Sequence, residues 1–509
     1  MTPKMPSAGF REWLREHMGA LALSSILLAA LALRLYGLEK NSFWFDELYQ
    51  IRHSSLPFFS MLKSVISDNA TAPVDFVITH FVYYFVGRSE GILRLPAVLW
   101  GTSSVAVAYF LGRRMFDRTT GLLAAALLAF VPSQIYFSQE MRSYILASFM
   151  VLLTTLTFQR AASLNTRGAW VLYGGTLVFG MYSHYYVAVV GILHGAWLLL
   201  MCLAKRLPWG SLRSYLAAAG IAGLLFLPWV VLDGLDIVTR AGGFPEATYR
   251  APELVAWLRA PFVGTNYWVP ESPSLTWFVV VTGVLATAGI ALAALRKGEW
   301  WRNAGLAAVV GLGGMGSALA LDSIAPFAFY PRQMVPFGAP VVLLISATLT
   351  GVIRAGFARL AHRPSNGTVS GLAAALLVVF AAGMLAQPLA GVYETPKEDY
   401  RGATRYLLQH IRADDRVLTY WSFCLPLYVP ELADQIIRLN GMSTLEEQAA
   451  AHTRVWILER PSTLRNRLAD VQAWVDSEKP LEAKRFYGLR LYLYSEKLTP
   501  QKLKDSLKR

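Results

Sequence analysis

Apolar runs long enough to cross a bilayer recur through the first 390 residues and then stop. They lie near 18–37, 92–112, 119–137, 142–160, 168–183, 186–203, 214–232, 273–295, 303–320, 333–353 and 370–390, eleven in all. About 20 such residues in a helix cross the ~30 Å hydrocarbon core. A chain built this way is expected to fold as a polytopic α-helical membrane protein, because in lipid each backbone N–H and C=O has to be satisfied within its own helix. Charge marks the boundary: 35 of the 80 charged residues fall in the last 119. Residues 1–390 therefore read as a transmembrane domain and 391–509 as a soluble one. The net charge of +14 is then carried by loop lysines and arginines, and a nucleic-acid partner is not expected. Lys4, Arg11 and Arg15 before the first run imitate a secretory leader, but the spans that follow make this an uncleaved first helix. Two cysteines, Cys202 and Cys424, indicate neither a disulfide framework nor a cysteine zinc site.

Loop charge sets the direction of the spans, since short cytoplasmic loops collect Lys and Arg. A twelfth apolar stretch, 74–86, contains Asp75 and His80 and is too short and polar for a comfortable span. If it lies on the surface, five successive loops on one side are all basic. They hold Arg113, Arg114 and Arg118; Arg160 and Arg167; Lys205, Arg206 and Arg213; Arg296, Lys297 and Arg302; and Arg354, Arg359 and Arg363. If it crossed, every cluster would face outward. The pattern predicts an interfacial helix at 74–86, a cytoplasmic N-terminus and an extracytoplasmic tail. The modest tail suits the inner (plasma) membrane of a bacterium.

This orientation gathers the unusual polar residues on the outer side, where convergence of costly ionisable groups suggests a site. Asp46 and Glu47 follow the first span, set among Phe43, Trp44, Phe45 and Tyr49. A carboxylate beside an apolar wall can act as a general base; two loop acids can equally be solvated, and spacing leaves both readings open. Arg142 lies in Ser138-Gln139-Glu140-Met141-Arg142-Ser143-Tyr144, a turn joining two spans. It is placed to hold a lipid-linked phosphate by two parallel hydrogen bonds, or, more plainly, to pair with Glu140 or snorkel to headgroups. Arg332, in Phe329-Tyr330-Pro331-Arg332, breaks the positive-inside pattern and calls for an anion, whether headgroup or substrate phosphate. His184, followed by Tyr185 and Tyr186, closes the fifth span as a structural residue or a ligand. Gly311-Leu312-Gly313-Gly314-Met315-Gly316 fits G-x-G-x-x-G by its letters, yet no strand precedes it and it sits in an apolar span, where glycines serve close helix packing.

From about residue 19 to 425 the chain resembles the polyprenyl-phosphate-sugar-dependent GT-C glycosyltransferases of the protein-mannosyltransferase and lipid A aminoarabinose-transferase superfamily (glycosyltransferase family 39-like). The likeness rests on Trp44-Phe45-Asp46-Glu47-Leu48-Tyr49, on Thr71-Ala72-Pro73-Val74-Asp75-Phe76 leading to Phe85-Val86-Gly87-Arg88-Ser89-Glu90 and Leu93-Arg94-Leu95-Pro96, and on Tyr136-Phe137 running into the Arg142 turn. Ser183-His184-Tyr185-Tyr186, the Arg332 helix start and Lys397-Glu398-Asp399-Tyr400-Arg401-Gly402-Ala403 complete it. One departure is Ala72, where the family usually has the first of two prolines. The resemblance implies a GT-C fold with interfacial, non-spanning helices in the first outward loop. It implies Asp46 as catalytic base, with Glu47 positioning it or the acceptor. Arg142 and Arg332, with Gln139 and Tyr144, would hold the donor phosphate, and His184, Tyr185 and Tyr330 would contact substrate or metal. Some relatives hold a divalent metal and others do not; here His184 and Glu47 are the candidates, and no metal set is assigned. The implied reaction moves a sugar, with inversion, from a polyprenyl-phosphate donor to a hydroxyl of a protein, lipid or glycan acceptor, among membrane lipids.

The loop 233–272 carries Tyr249, Trp257, Phe262, Tyr267 and Trp268, which read equally as a cover for the acceptor or as an interfacial belt. The tail mixes a helical stretch at 400–412 with strand-like runs at 416–421, 455–458 and 489–494, the pattern of a small extracytoplasmic α/β domain. No catalytic set is visible in it. A transporter would show polar residues at span midpoints and paired interrupted helices, which the runs lack; a polysaccharide ligase or flippase of lipid-linked sugars would share the topology.

Overall fold

The computed structural model describes residues 7–67, 72–240, 262, 273–295, 298–324, 331–360 and 367–495. The chain divides into two compact units. One comprises Met1–Tyr36, Leu62–Ile78 and Arg94–Thr395, the other Gly37–Met61, Thr79–Leu93 and Pro396–Arg509.

The helices up to the tail are α1 (Ser7–Leu35), α2 (Phe45–Ser54), α3 (Phe58–Ser67), α4 (Val74–Phe85), α5 (Glu90–Met115), α6 (Arg118–Phe130), α7 (Pro132–Ser138), α8 (Tyr144–Leu164), α9 (Arg167–Ser183), α10 (Tyr186–Leu203), α11 (Trp209–Arg240), α12 (Pro273–Leu295), α13 (Glu299–Ile324), α14 (Val335–Leu360) and α15 (Gly367–Glu394). All eleven apolar runs are helical. Among the described residues, eight helices are long and apolar enough to cross a membrane, or nine if the bent pair α6–α7 is one span. The expected straight span at 119–137 is that pair, bent by 62°. Pro132 accounts for the break. It has no N–H to extend the α6 ladder, and its ring holds Val131 in extended backbone at φ −63° and ψ 117°. Interrupted helices are therefore present, but as a single pair among the described residues. Helix α11 also runs on to Arg240, into the stretch read as loop.

Helix α4 has 12 residues, a length of about 18 Å, so it cannot cross the core. Its start survives Ala72: Pro73 O accepts from Val77 N at 3.0 Å, and Ala72 itself is buried. Gly311, Gly313 and Gly314 pack against neighbouring helices, as their setting suggested, whereas Gly316 faces open space. A Cβ on Gly311 would stand 2.7 Å from Val341 Cγ2 and 3.0 Å from Val341 N, across the contact of α13 with α14. Tighter still is Gly121, where a Cβ would lie 2.6 Å from Tyr109 O and 2.8 Å from Arg113 N. Both neighbours are α5 backbone and cannot rotate away. Gly121→Ala is expected to force α5 from α6 and cost about 1–3 kcal/mol, seen as a lower thermal-unfolding midpoint in detergent; an unchanged midpoint would refute the close approach.

In the second unit the tail forms a five-stranded sheet of β1 (Arg416–Thr419), β2 (Ile436–Arg438), β3 (Arg454–Glu459), β4 (Glu482–Phe486) and β5 (Leu489–Ser495), ordered β2-β1-β3-β5-β4. The pairs β1–β2 and β1–β3 are parallel, whereas β3–β5 and β4–β5 are antiparallel. Leu418, Ile457, Val471 and Trp474 lie in its core. The helix Tyr400–His410 covers the predicted helical stretch, with Asp399 accepting from Gly402 N as its N-cap.

Candidate active site

The acidic pair belongs to the second unit. Trp44 is extended, at φ −93° and ψ 174°, and α2 begins after it, placing Asp46 and Glu47 in the first turn. Carboxylates are favoured there by the exposed N–H groups and the positive end of the helix. Glu47 is fully buried, and its Oε2 accepts from Trp44 N at 3.3 Å, a reach-back cap of the helix start. Asp46, one residue earlier, is half-buried.

A second acid, Glu398, joins this loop to the tail. Its Oε2 accepts from Phe45 N at 3.0 Å, its Oε1 from Arg460 Nε at 2.6 Å, and its backbone O from Ser42 Oγ at 2.6 Å. Burial pushes the Glu398 carboxyl up; Arg460 pulls it back, and the negative charge of Asp46 adds to the rise. Burial disfavours the charged form of Arg460, but Glu398, with help from Tyr400 and Asp46, raises it above its ordinary value. Arg460 also lies 4.8 Å from the centre of the Phe45 ring, which packs 4.7 Å from Trp421. Farther along, Phe43 N donates to Tyr428 OH at 2.6 Å, and Tyr428 OH donates to Glu90 Oε1 at 2.8 Å. The backbone entering α2 is thus anchored at Ser42, Phe43 and Phe45, just ahead of Asp46.

The basic candidates belong to the first unit. Because α7 ends at Ser138, Gln139 to Ser143 form a turn at the entry to α8. Tyr144 opens α8, and the Arg332 guanidinium lies 5.6 Å from its ring centre. The His184 ring is 6.1 Å from Tyr144 and stacks on Tyr186 at 5.3 Å. Tyr186 OH in turn donates to Gln333 Oε1 at 2.8 Å. Burial, followed by the charge of Arg142, lowers His184 from 6.5 to about 4. Arg142, Tyr144, His184 and Arg332 therefore share one neighbourhood although the two arginines are far apart in sequence.

Gln139 is placed differently: its Nε2 donates to Arg34 O at 3.1 Å and Tyr36 O at 2.7 Å, closing the end of α1. Tyr185 OH accepts from Trp229 Nε1 at 3.0 Å. Tyr330 lies outside the described residues, as do Tyr249, Trp257, Tyr267 and Trp268; Phe262 is described and buried. Among the described residues no three His, Cys, Asp or Glu side chains converge as a metal-binding group. His184 Nδ1 accepts from Tyr186 N at 3.3 Å and has the Arg142 cation beside it, a poor setting for a metal ligand.

Sequence reasoning passed over several participants. Arg34, inside the first apolar run, is 0% exposed, and its Nε donates to Ser138 Oγ at 3.2 Å while Nη1 donates to Ala30 O at 3.0 Å. An arginine in a spanning run was the signal. Glu398 sat within a motif already noted, but Arg460, Tyr428 and Gln333 carried no local mark.

A neutral histidine at about pH 4–6.5 has a direct consequence. The folded chain binds fewer protons there than the unfolded one, so stability rises with pH across this window and is lost as pH falls through about 4. The thermal midpoint should decline on acidification from 6.5 to 4, and His184→Gln should shallow that decline. An identical slope in the variant would show that His184 is not the group held neutral.

A family model for dolichyl-phosphate-mannose-protein mannosyltransferase matches residues 70–231. No curated protein sequence matches the chain. Among solved structures, the oligosaccharyltransferase AglB of Archaeoglobus fulgidus, in complex with an inhibitory peptide and a dolichol-phosphate, is similar at TM-score 0.56 and 14% identity, over 87% of this chain and 70% of that one. ArnT of Cupriavidus metallidurans is similar in its apo state at TM-score 0.55 and 14% identity, over 92% and 97%. Bound to undecaprenyl phosphate it is similar at TM-score 0.53 and 14% identity, over 94% and 98%.

Proposed function

We propose that the chain is a glycosyltransferase of the GT-C type, a reading supported by its fold likeness to AglB and ArnT and by the family match over residues 70–231, and that it transfers a sugar from a polyprenyl-phosphate donor to an acceptor hydroxyl at the outer face of the membrane. The observation that carries this reading is the cluster of Arg142, Tyr144, His184 and Arg332 at the start of α8, cationic and built from three distant parts of the sequence. An undecaprenyl or dolichyl phosphate, as bound by the two similar proteins, is the kind of anion such a cluster suits.

The chemistry follows from where charge develops. As the bond from the anomeric carbon to the phosphate oxygen breaks, the leaving phosphate gains negative charge, and arginines waiting there favour the transition state over the ground state. No acid is then needed to protonate the leaving group. The acceptor oxygen forms the new bond to the anomeric carbon, its proton passes to Asp46, and polyprenyl phosphate departs with the bonding pair. Direct displacement inverts the anomeric configuration. Glu47, by capping α2, positions Asp46. With the N-terminus cytoplasmic, the basic loops face inward and this chemistry faces outward, where a membrane-borne donor replaces nucleotide sugars. The acceptor is a protein, lipid or glycan hydroxyl.

The test is purified protein in nanodiscs with a polyprenyl-phosphate monosaccharide, scoring released polyprenyl phosphate and product anomer. Donor movement across the bilayer without cleavage would overturn the reading in favour of a flippase or transporter.

A further inference from the structure

A second concentration of arginine lies at the other end of α8. Tyr144 and Arg160 are sixteen residues apart on this helix, a rise of about 24 Å, so Arg160 stands near the opposite membrane boundary from the Arg142 turn. There Arg113 and Arg114, in the last turn of α5, join Arg160 around a cavity of about 760 Å³ whose apolar lining includes Phe110, Leu153 and Leu172. That volume is within the range of small-molecule sites, about 300–1,000 Å³.

Helix C-termini favour cations, and inward loops collect them. Neither rule requires three guanidiniums to share one cavity. Arg160 is near enough to Arg114 to repel it. Arg114 Nε is oriented by donating to Gln159 Oε1, and among the described residues no carboxylate pairs with any of the three. Concentrated positive charge over an apolar wall, at the depth where head groups meet acyl chains, complements an acidic phospholipid; basic pockets between membrane helices on the inner side recognise such head groups.

We propose that this cavity binds an anionic phospholipid of the leaflet opposite the Arg142 turn, one whose head group carries two phosphates. The arginines take the phosphates, and Phe110, Leu153 and Leu172 line the path of the first acyl methylenes. The site is separate from sugar transfer, and its test does not depend on that reaction.

The full chain in detergent is titrated with cardiolipin, and separately with phosphatidylcholine, by native mass spectrometry. Discrete cardiolipin adducts are expected, and Arg113→Gln/Arg114→Gln/Arg160→Gln should weaken their affinity about a hundredfold. Replacement of the same three by lysine should restore most of it. Arg118→Gln/Arg206→Gln, which removes charge elsewhere on that side, should leave it unchanged. Equal phosphatidylcholine adducts, wild-type binding by the glutamine variant, or loss in the Arg118/Arg206 variant equal to that of the triple variant would each overturn the assignment.

Discussion

Asp46→Asn is expected to slow release of polyprenyl phosphate by roughly 10²- to 10⁴-fold, the usual contribution of a general base, with donor binding and expression unchanged. The substitution keeps the size and shape of the side chain and removes only its capacity to accept a proton. Its structural cost is small, because the helix start does not hang on Asp46. Glu47 caps α2 through Trp44 N, while Glu398 and Tyr428 hold the N–H groups of Phe45 and Phe43. The contrast with Glu47→Gln is informative. That change weakens the cap and should lower both the unfolding midpoint and the rate, whereas Asp46→Asn should lower the rate alone. Single-turnover measurement with donor in excess, alongside donor titration, separates the two. Near-normal turnover by the Asp46 variant would remove it as the base and move attention to Glu47.

How much of this was legible from residues alone depends on the range over which each signal is summed. A spanning helix declares itself through some twenty apolar side chains, so all eleven runs became helices. The break at Pro132 was harder to see because the hydropathy of 119–137 is continuous across it, although the proline itself was in plain view. The parallel strand β2 is three residues long, and β4 reads Glu-Ala-Lys-Arg-Phe, an antiparallel edge strand without apolar alternation. Neither could be picked out by period. In the candidate site, Arg142 and Arg332 stood out as exceptions to the charge rule, a global pattern that needs no contacts. The Glu398–Arg460 pair is joined across 62 residues, and no periodicity links positions so separated. Tyr186 and Gln333 were likewise invisible as a pair until the fold put one hydroxyl on the other amide.

Arg142→Ala and Arg332→Ala are each expected to lower kcat about 10²- to 10³-fold, the loss typical when one donor to a developing oxyanion is removed. The two effects should not multiply. The arginines share Tyr144 and His184 as neighbours, and residues acting on one group couple. Where the loss falls discriminates between two roles. Arginines that only tether a phosphate already charged in the ground state would raise KM and spare kcat; arginines that answer charge formed as the bond breaks lower kcat with donor affinity less affected. Lysine at 332 is an incomplete substitute, since an ammonium can neither lie flat near the Tyr144 ring nor present two parallel N–H groups to a phosphate. Tyr144→Phe keeps the ring and should retain most activity, whereas Tyr144→Leu removes the surface beside Arg332 and should behave as a partial Arg332 defect. Wild-type kcat and KM in both alanine variants would show that the cluster does not hold the donor phosphate and would withdraw the observation on which the transferase reading stands.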